Sequence, residues 1–167
     1  MLSGIRTTLQ PTNGLAYFIE DFEHFIPDPK ACIIGMENGE NFQHLKEQRH
    51  LFEESKVIFV SRYPQSTDLH TWLQQITNPY IHFGDFDLTS IHNYLSELYA
   101  YLGERSQFFI PSDIKERLKY ENWELYNNQY LEFKDRKIKD PRLKGLVHLI
   151  QHYRRVYEQE GYKESQA

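Results

Sequence analysis

Hydrophobic positions along the chain form short, nearly continuous apolar runs that are separated by stretches with helical spacing. The first run covers residues 31–36. A run of this kind is typical of a strand that is buried on both faces of a parallel sheet. Comparable runs predict further strands at residues 56–60, 80–83 and 107–110. The pattern therefore predicts four β-strands with helical segments between them.

Amphipathic spacing predicts the helices that join these strands. Apolar residues recur every three or four positions in residues 41–52, 66–76 and 88–102, and Gly103 provides a stop for the last of these helices. Strands and helices that alternate with short linkers argue for a parallel sheet covered by helices. We expect an α/β, Rossmann-like fold, in which ligands bind at the carboxyl ends of the strands.

The same pattern divides the chain into three predicted parts. Residues 1–29 have little regular periodicity and are predicted to be an N-terminal extension. Residues 30–112 carry the strand–helix alternation and are predicted to be the α/β core. In residues 113–167 the alternation stops, and we expect a helical C-terminal extension that packs on the core. Its last helix is predicted from residue 142 to about residue 161.

Three carboxylates follow two of the predicted strands. Glu37 comes after the first strand, whereas Asp85 and Asp87 close the third. Alternate side chains of an extended strand share a face, so we expect Asp85 and Asp87 to project together. Two like charges 4 Å apart repel by roughly 4 kcal/mol at an effective dielectric constant near 20, and a cation between them relieves this repulsion. The pattern predicts a site for Mg²⁺ or Mn²⁺, which prefer oxygen ligands.

The same acids also allow other interpretations. Asp87 could cap the helix that begins at Leu88, and Glu37 could cap the helix that follows it. Asp85 has no such capping role, which favours the metal site. Residues 85–89 also fit the Asp-x-Asp-x-Thr loop of haloacid-dehalogenase-type phosphatases, in which the first Asp is a nucleophile. That loop follows the first strand of its fold, whereas two strand–helix units precede it here.

Weaker candidate sites lie elsewhere in the chain. Arg62 follows the second strand and is predicted as a phosphate anchor, with a salt bridge as the alternative. Residues 132–134 read Glu-Phe-Lys, the E-x-K of restriction-type nucleases, and Asp113 would be the acid partner. His148 and His152 lie one helical turn apart and could ligate zinc, although a solvated helix face explains them more simply.

Composition restricts the partners and the compartment. The chain has 167 residues, enough for one domain, and its 12 Tyr and 11 Phe favour an ordered core. The net charge of −5 excludes a general basic coat for nucleic acid, so any DNA contact must be local, metal-assisted or supplied by another segment or subunit. Cys32 is the single cysteine, no apolar run approaches the roughly 20 residues of a membrane span, and the N-terminus lacks a signal-peptide pattern. We expect a cytoplasmic protein without a membrane partner.

Two motifs resemble those of Toprim domains. Residues 33–42 read Ile-Ile-Gly-Met-Glu-Asn-Gly-Glu-Asn-Phe, and residues 82–87 read His-Phe-Gly-Asp-Phe-Asp. Toprim domains have a glutamate after the first strand and an Asp-x-Asp after the third. The resemblance is greatest to the topoisomerase VI A subunit and its meiotic double-strand-break relatives, and to the nuclease subunit of Wadjet anti-plasmid systems. It covers about residues 30–111.

This resemblance implies a Toprim fold that performs metal-dependent DNA cleavage. Asp85 and Asp87 would hold Mg²⁺ or Mn²⁺, and Glu37 would be a further ligand or the general acid/base. Relatives often have glycine at the position of Ser90. Topoisomerase VI-like proteins carry a nucleophilic tyrosine on a preceding winged-helix domain, for which residues 1–29 are too short. We therefore expect hydrolysis of the DNA phosphodiester bond. The expected partners are an N-terminal DNA-binding domain, other subunits, or a second copy of the chain in a homodimer. The alternative is a non-catalytic Toprim-like module that binds nucleic acid or a protein partner.

Overall fold

A four-stranded, fully parallel β-sheet forms the centre of the described chain. The computed structural model describes residues 19, 21–54, 56–62, 67–120, 122–136, 138 and 140–162. The strands are β1 (Cys32–Met36), β2 (Val57–Ser61), β3 (Tyr80–Phe83) and β4 (Ser106–Phe108). Helices flank the sheet, so the predicted α/β, Rossmann-like architecture with a parallel sheet is confirmed.

Two of the helices predicted between strands differ from their predicted form. The α-helices are α1 (Gly39–Gln43), α2 (Leu45–Gln48), α3 (Thr67–Gln75), α4 (Leu88–Asn93), α5 (Ala100–Leu102), α6 (Ile114–Arg117), α7 (Trp123–Phe133) and α8 (Lys144–Tyr153). The predicted helix over residues 41–52 is broken at His44, where the backbone leaves helical geometry (φ −105°, ψ 26°). The predicted helix over residues 88–102 continues from α4 to α5 through a π-helical segment, Tyr94–Tyr99. Among the described residues, no helix combines the length and apolar character needed to cross a membrane.

Shorter 3₁₀ turns complete the described backbone. They are Phe22–His24, Arg49–Leu51, Gly103–Arg105, Pro141–Leu143 and Gln159–Tyr162. Gly103 has a positive φ of 56°, a conformation that glycine adopts without the steric cost of a side chain. The helix predicted over residues 88–102 therefore ends at Gly103 because this position needs a positive φ.

The spatial order of the strands is β2-β1-β3-β4. The chain leaves β1 toward β2 on one side and then returns across the sheet to place β3 on the other side of β1. Met36, the last residue of β1, is in register with Ser61 of β2 and with Phe83 of β3. In open α/β sheets, ligands bind beyond the carboxyl ends of the strands where the strand order reverses. In this fold that position lies between β1 and β3.

Both faces of the sheet are covered by packed side chains, as the apolar run of β1 predicts. On one face the ring of Phe52 packs against Phe59, Phe83 and Phe109, with centroid distances of 4.7 to 5.8 Å. All five residues of β1 are buried. Cys32 is buried, and burial raises the pKa of its thiol to about 11, so the thiol packs as a small hydrophobic group.

The last helix ends earlier than the sequence predicts. Helix α8 stops at Tyr153 because Arg154 adopts the left-handed conformation, with φ 52° and ψ 47°. The chain then turns back, and Tyr157 forms an antiparallel bridge with Phe86, directly after β3. The backbone N–H of Phe86 donates to the Tyr157 carbonyl at 2.9 Å. The C-terminal segment therefore packs on the carboxyl edge of the sheet.

Replacing Gly35 with alanine should destabilise the protein. A Cβ at Gly35 would overlap the hydroxyl and ring of the fully buried Tyr80. Overpacking of this kind typically costs about 1–3 kcal/mol. Gly145→Ala in α8 is the matched control, because nothing lies near a Cβ there and alanine favours a helix by up to about 1 kcal/mol. Urea denaturation should show a lower midpoint for Gly35→Ala only. Equal midpoints for the two variants would contradict the close packing of Tyr80 on Gly35.

Candidate functional site

Glu37 and Asp85 line a single cavity at the carboxyl ends of β1 and β3. The cavity has a volume of about 690 Å³. Its other lining residues are Asn38, Gly39, Glu40, Phe42, Gln43 and Ser61. It lies where the strand order reverses, which is the usual ligand position in this class of sheet. Two of the three predicted acids are therefore brought to one cavity.

Glu37 is held by polar neighbours from β3 and α4. Its backbone N–H donates to the Phe83 carbonyl at 3.1 Å, which continues the β1–β3 pairing. The hydroxyl of Ser90 donates to Glu37 Oε2 at 2.6 Å, and His82 Nε2 lies 3.4 Å from the same oxygen. Asn38, rather than Glu37, caps α1 by accepting from the Glu40 N–H at 2.7 Å. Glu37 is thus available for a role other than helix capping.

These contacts keep the Glu37 carboxyl ionised. Burial alone would raise its pKa, but the contact with His82, the hydroxyl of Ser90 and the positive charge of Arg62 outweigh burial and lower the pKa to about 2. His82 is fully buried, and burial lowers the pKa of its ring, whereas the Glu37 carboxylate raises it. Ser90 is the closer of the two neighbours. It is therefore the better defined hydrogen-bond donor to Glu37.

Asp87 caps helix α4, as one interpretation of the sequence predicts. Its Oδ1 accepts from the Ser90 backbone N–H at 2.7 Å, and its Oδ2 accepts from Gln129 Nε2 at 2.8 Å. Burial raises the pKa of Asp87, these hydrogen bonds oppose the rise, and the charge of Glu37 adds to it. Each carboxylate oxygen has a second lone pair. Capping and metal ligation are therefore compatible at this residue.

Asp85 has the least compensated charge of the three acids. Its Oδ1 accepts from the Gln159 backbone N–H at 2.8 Å. Burial raises its pKa to about 7; this hydrogen bond opposes the rise, and the negative charges of Asp87 and Glu37 add to it. Like charges that raise one another's pKa are a common feature of functional sites. A bound cation would offset the repulsion among these charges, although burial is the larger cause of the shift.

The donor set can be tested against the needs of a divalent ion. Among the described residues, no group of three or more His, Cys, Asp or Glu side chains is placed to hold a metal ion. Mg²⁺ usually keeps several waters and binds one or two carboxylates together with phosphate oxygens. Glu37 and Asp85 in the cavity supply that number of oxygen ligands. Two carboxylates at one cavity match the number that such an ion takes from a protein, but the described residues do not form a three-carboxylate cage.

Arg62, the predicted phosphate anchor, lies below the surface. Its side chain is 3% exposed, and Nη2 donates to Glu97 Oε2 at 2.8 Å. Its Nη1 is buried without a hydrogen-bond partner. Arg62 does not line the cavity, although Ser61 beside it does. In this conformation Arg62 acts on the site through its charge on Glu37 rather than through contact with a ligand in the cavity.

The weaker candidates do not assemble into sites. Asp113 accepts from Arg117 at 2.6 Å and from Tyr162 at 3.1 Å. Glu132 pairs instead with Arg136 at 3.2 Å, so the two acids of the E-x-K alternative have different partners. The rings of His148 and His152 stack 6.1 Å apart on an exposed helix face. Within the described chain no third ligand joins that pair.

Sequence reasoning missed the residues that hold the acids in place. Ser90, Gln129 and Gln159 each donate a hydrogen bond to Glu37, Asp85 or Asp87. Ser90 had a local signal, because an N-cap acid accepts from the backbone N–H three residues later. The other two lie far away in the sequence. No local pattern connects them to the acids.

The metal-free protein should lose stability as the pH rises, through Asp85. A carboxyl whose pKa is raised in the folded state binds its proton more tightly when folded. Its contribution is therefore complete below about pH 4 and is lost as the pH rises through about 7. Since each pKa unit corresponds to about 1.4 kcal/mol, Asp85→Asn should be more stable than the wild type by a few kcal/mol at most at pH 8, and by little at pH 4.

Chemical denaturation in EDTA at pH 4, 6 and 8 measures this difference. Asparagine keeps the oxygen that accepts from Gln159, so the comparison isolates the charge. A stability difference that does not change with pH would contradict the shifted Asp85 carboxyl. Asp135→Asn, at an exposed position, is the control and should match the wild type at each pH.

Comparison with known proteins adds no family to this description. Models of protein families, curated proteins and solved structures were all searched, and none matches the chain. The chemistry of the site therefore has to be argued from its own residues. The Toprim resemblance stays a prediction.

Proposed function

We propose that this chain is a Toprim-like domain for metal-dependent DNA cleavage, with Mg²⁺ or Mn²⁺ as the cofactor. The observation that carries the proposal is the shared cavity of Glu37 and Asp85 where the strand order reverses, together with the raised pKa of Asp85. An acid pair with incomplete charge compensation favours a cation. A carboxylate–water ligand set leaves coordination positions for phosphate oxygens.

The three acids take distinct roles in this proposal. Glu37 and Asp85 are the ligands in the cavity, and Asp87 offers a further oxygen beside them. A bound divalent ion would polarise the scissile phosphate and activate water. Glu37 stays ionised across the physiological range, which suits a ligand better than a proton carrier, because an efficient general base has a pKa near the working pH. The Asp85 carboxyl, once relieved of repulsion, would also hold its ligand form.

DNA is the proposed partner, and basic residues from outside this domain would be needed to bind its backbone. The net charge of −5 supplies no general attraction to phosphate. The cavity itself carries Glu37, Glu40 and Asp85. We propose that an N-terminal DNA-binding domain, another subunit or a second copy of this chain provides the basic contacts. The cation would then neutralise the site locally.

One alternative function has an observation in its favour. Both oxygens of Asp87 already accept hydrogen bonds, and Glu37 is tied to Ser90. These hydrogen bonds compensate Asp87 and Glu37 without a metal, as expected for a non-catalytic module that binds nucleic acid or a protein. The phosphatase alternative has less support, because no lysine is among the described residues that line the cavity. An experiment has to separate these three functions.

Wild-type protein should nick supercoiled plasmid in Mg²⁺ or Mn²⁺ but not in EDTA. Asp85→Asn should reduce the rate by about 100-fold or more, because metal stabilisation of the transition state is worth several kcal/mol and about 1.4 kcal/mol corresponds to a factor of ten. Asp135→Asn, at an exposed position that does not line the cavity, should cut like the wild type. Mn²⁺ affinity by calorimetry should fall in parallel with cleavage in Asp85→Asn.

Three other outcomes would contradict this proposal. Nicking that survives in Asp85→Asn would overturn the site. Metal-independent DNA binding without cleavage would favour the non-catalytic module. Hydrolysis of a phosphomonoester without DNA cleavage would favour the phosphatase.

A further inference from the structure

Ser90 contacts two of the three acids through two different donors. Its backbone N–H donates to Asp87 Oδ1 at 2.7 Å, and its hydroxyl donates to Glu37 Oε2 at 2.6 Å. Ser90 is 4% exposed; its hydrogen bond to Asp87 is buried, and its hydrogen bond to Glu37 is partly buried. One serine therefore joins the acid that follows β1 to an acid that follows β3.

The position of this serine is set by the cap of α4. Asp87 is the N-cap, and Ser90 is the third residue of the helix, whose N–H an N-cap side chain commonly accepts. The capped turn directs the Ser90 hydroxyl to Glu37. The backbone at Gly84, the residue after β3, closes the space on the other side, because a Cβ there would overlap Glu37 Oε2, Ser90 Oγ and His82 Nε2.

Without the serine hydroxyl, repulsion and side-chain entropy would favour a rotamer of Glu37 that points away from the aspartates. Glu37 lines one cavity with Asp85 and is joined to Asp87 through Ser90, and like charges held this close repel each other. A glutamate side chain also gains rotamer freedom when it is released into solvent. The remaining polar neighbour, His82, lies farther away at 3.4 Å. The hydrogen bond from Ser90 is therefore the shorter of the two side-chain contacts that hold the Glu37 carboxylate.

We propose that Ser90 is a positioning residue that holds the Glu37 carboxylate beside Asp87 in the orientation required for a divalent cation. This role rests on the proposed function, since it assigns Ser90 to the same metal site. Hydrogen-bond donors behind metal-ligating carboxylates set ligand orientation, and their loss typically lowers metal affinity by roughly 10–100-fold. Ser90 itself does not touch the reacting atoms.

Mn²⁺ titration calorimetry of three serine variants tests this role. Ser90→Ala should bind Mn²⁺ at least about 10-fold more weakly than the wild type. Ser90→Thr retains a hydroxyl and should recover most of the affinity. Ser96→Ala is the matched control, because Ser96 lies on the same long helix and its hydroxyl donates to the His92 carbonyl, away from the acids. Its affinity should equal that of the wild type.

A metal-free measurement examines the hydrogen bond itself. The shift in urea midpoint caused by Ser90→Ala should shrink when Glu37 is alanine, since the two side chains then no longer have a bond to lose. If the midpoint shifts of Ser90→Ala and Glu37→Ala add fully in the double variant, the hydrogen bond between the two side chains does not contribute to stability and the proposal is overturned. This result does not depend on any metal.

The outcomes separate the positioning role from the proposed function. Wild-type Mn²⁺ binding with unchanged affinity in Ser90→Ala would overturn the positioning role and leave the metal site standing. Absence of Mn²⁺ binding in the wild type would overturn the metal site and the positioning role together. Weakened binding in Ser90→Ala with recovery in Ser90→Thr supports both.

Discussion

Pairing of β1 with β3 is the constraint on which the candidate site depends. The two strands are distant in sequence, and only the return of the chain across the sheet makes them neighbours. That pairing sets Glu37 and Asp85 on the same edge. Gly35 has no side chain, and this leaves room for the completely buried ring and hydroxyl of Tyr80 over β1. This interior packing accompanies the strand pairing that places the acids at one edge.

The three acids differ in how far hydrogen bonds and nearby positive charges compensate their negative charge. Glu37 has the Ser90 hydroxyl and the charge of Arg62, while Asp87 has two hydrogen bonds. Asp85 lies close to both other acids and has the raised pKa of about 7. It also faces the cavity. The strongest uncompensated charge is therefore where a cation from solvent can reach it.

Much of the fold and part of the site follow from local patterns. The apolar runs predict the four strands because a parallel sheet buries both faces of each strand. The edge position of Glu37 and Asp85 follows from strand order alone. The early end of α8 does not, since Arg154 is a non-glycine residue in a left-handed conformation and carries no sequence signal for it. The contact of Gln159 with Asp85 is equally hidden, because it depends on how the tail folds back.

The C-terminal tail contributes groups to the candidate site. Gln159 donates its backbone N–H to Asp85, and Tyr157 pairs with the backbone of Phe86 between the two aspartates. The tail also brings Glu160, whose charge adds to the rise in the pKa of Asp85. It therefore orients Asp85 with one group and opposes its ionisation with another. Because both effects act on one carboxylate, the folding of the tail and the affinity of this edge for a cation are linked. A strand–helix core that lacks the tail would present the same motif without the groups that set the charge of Asp85.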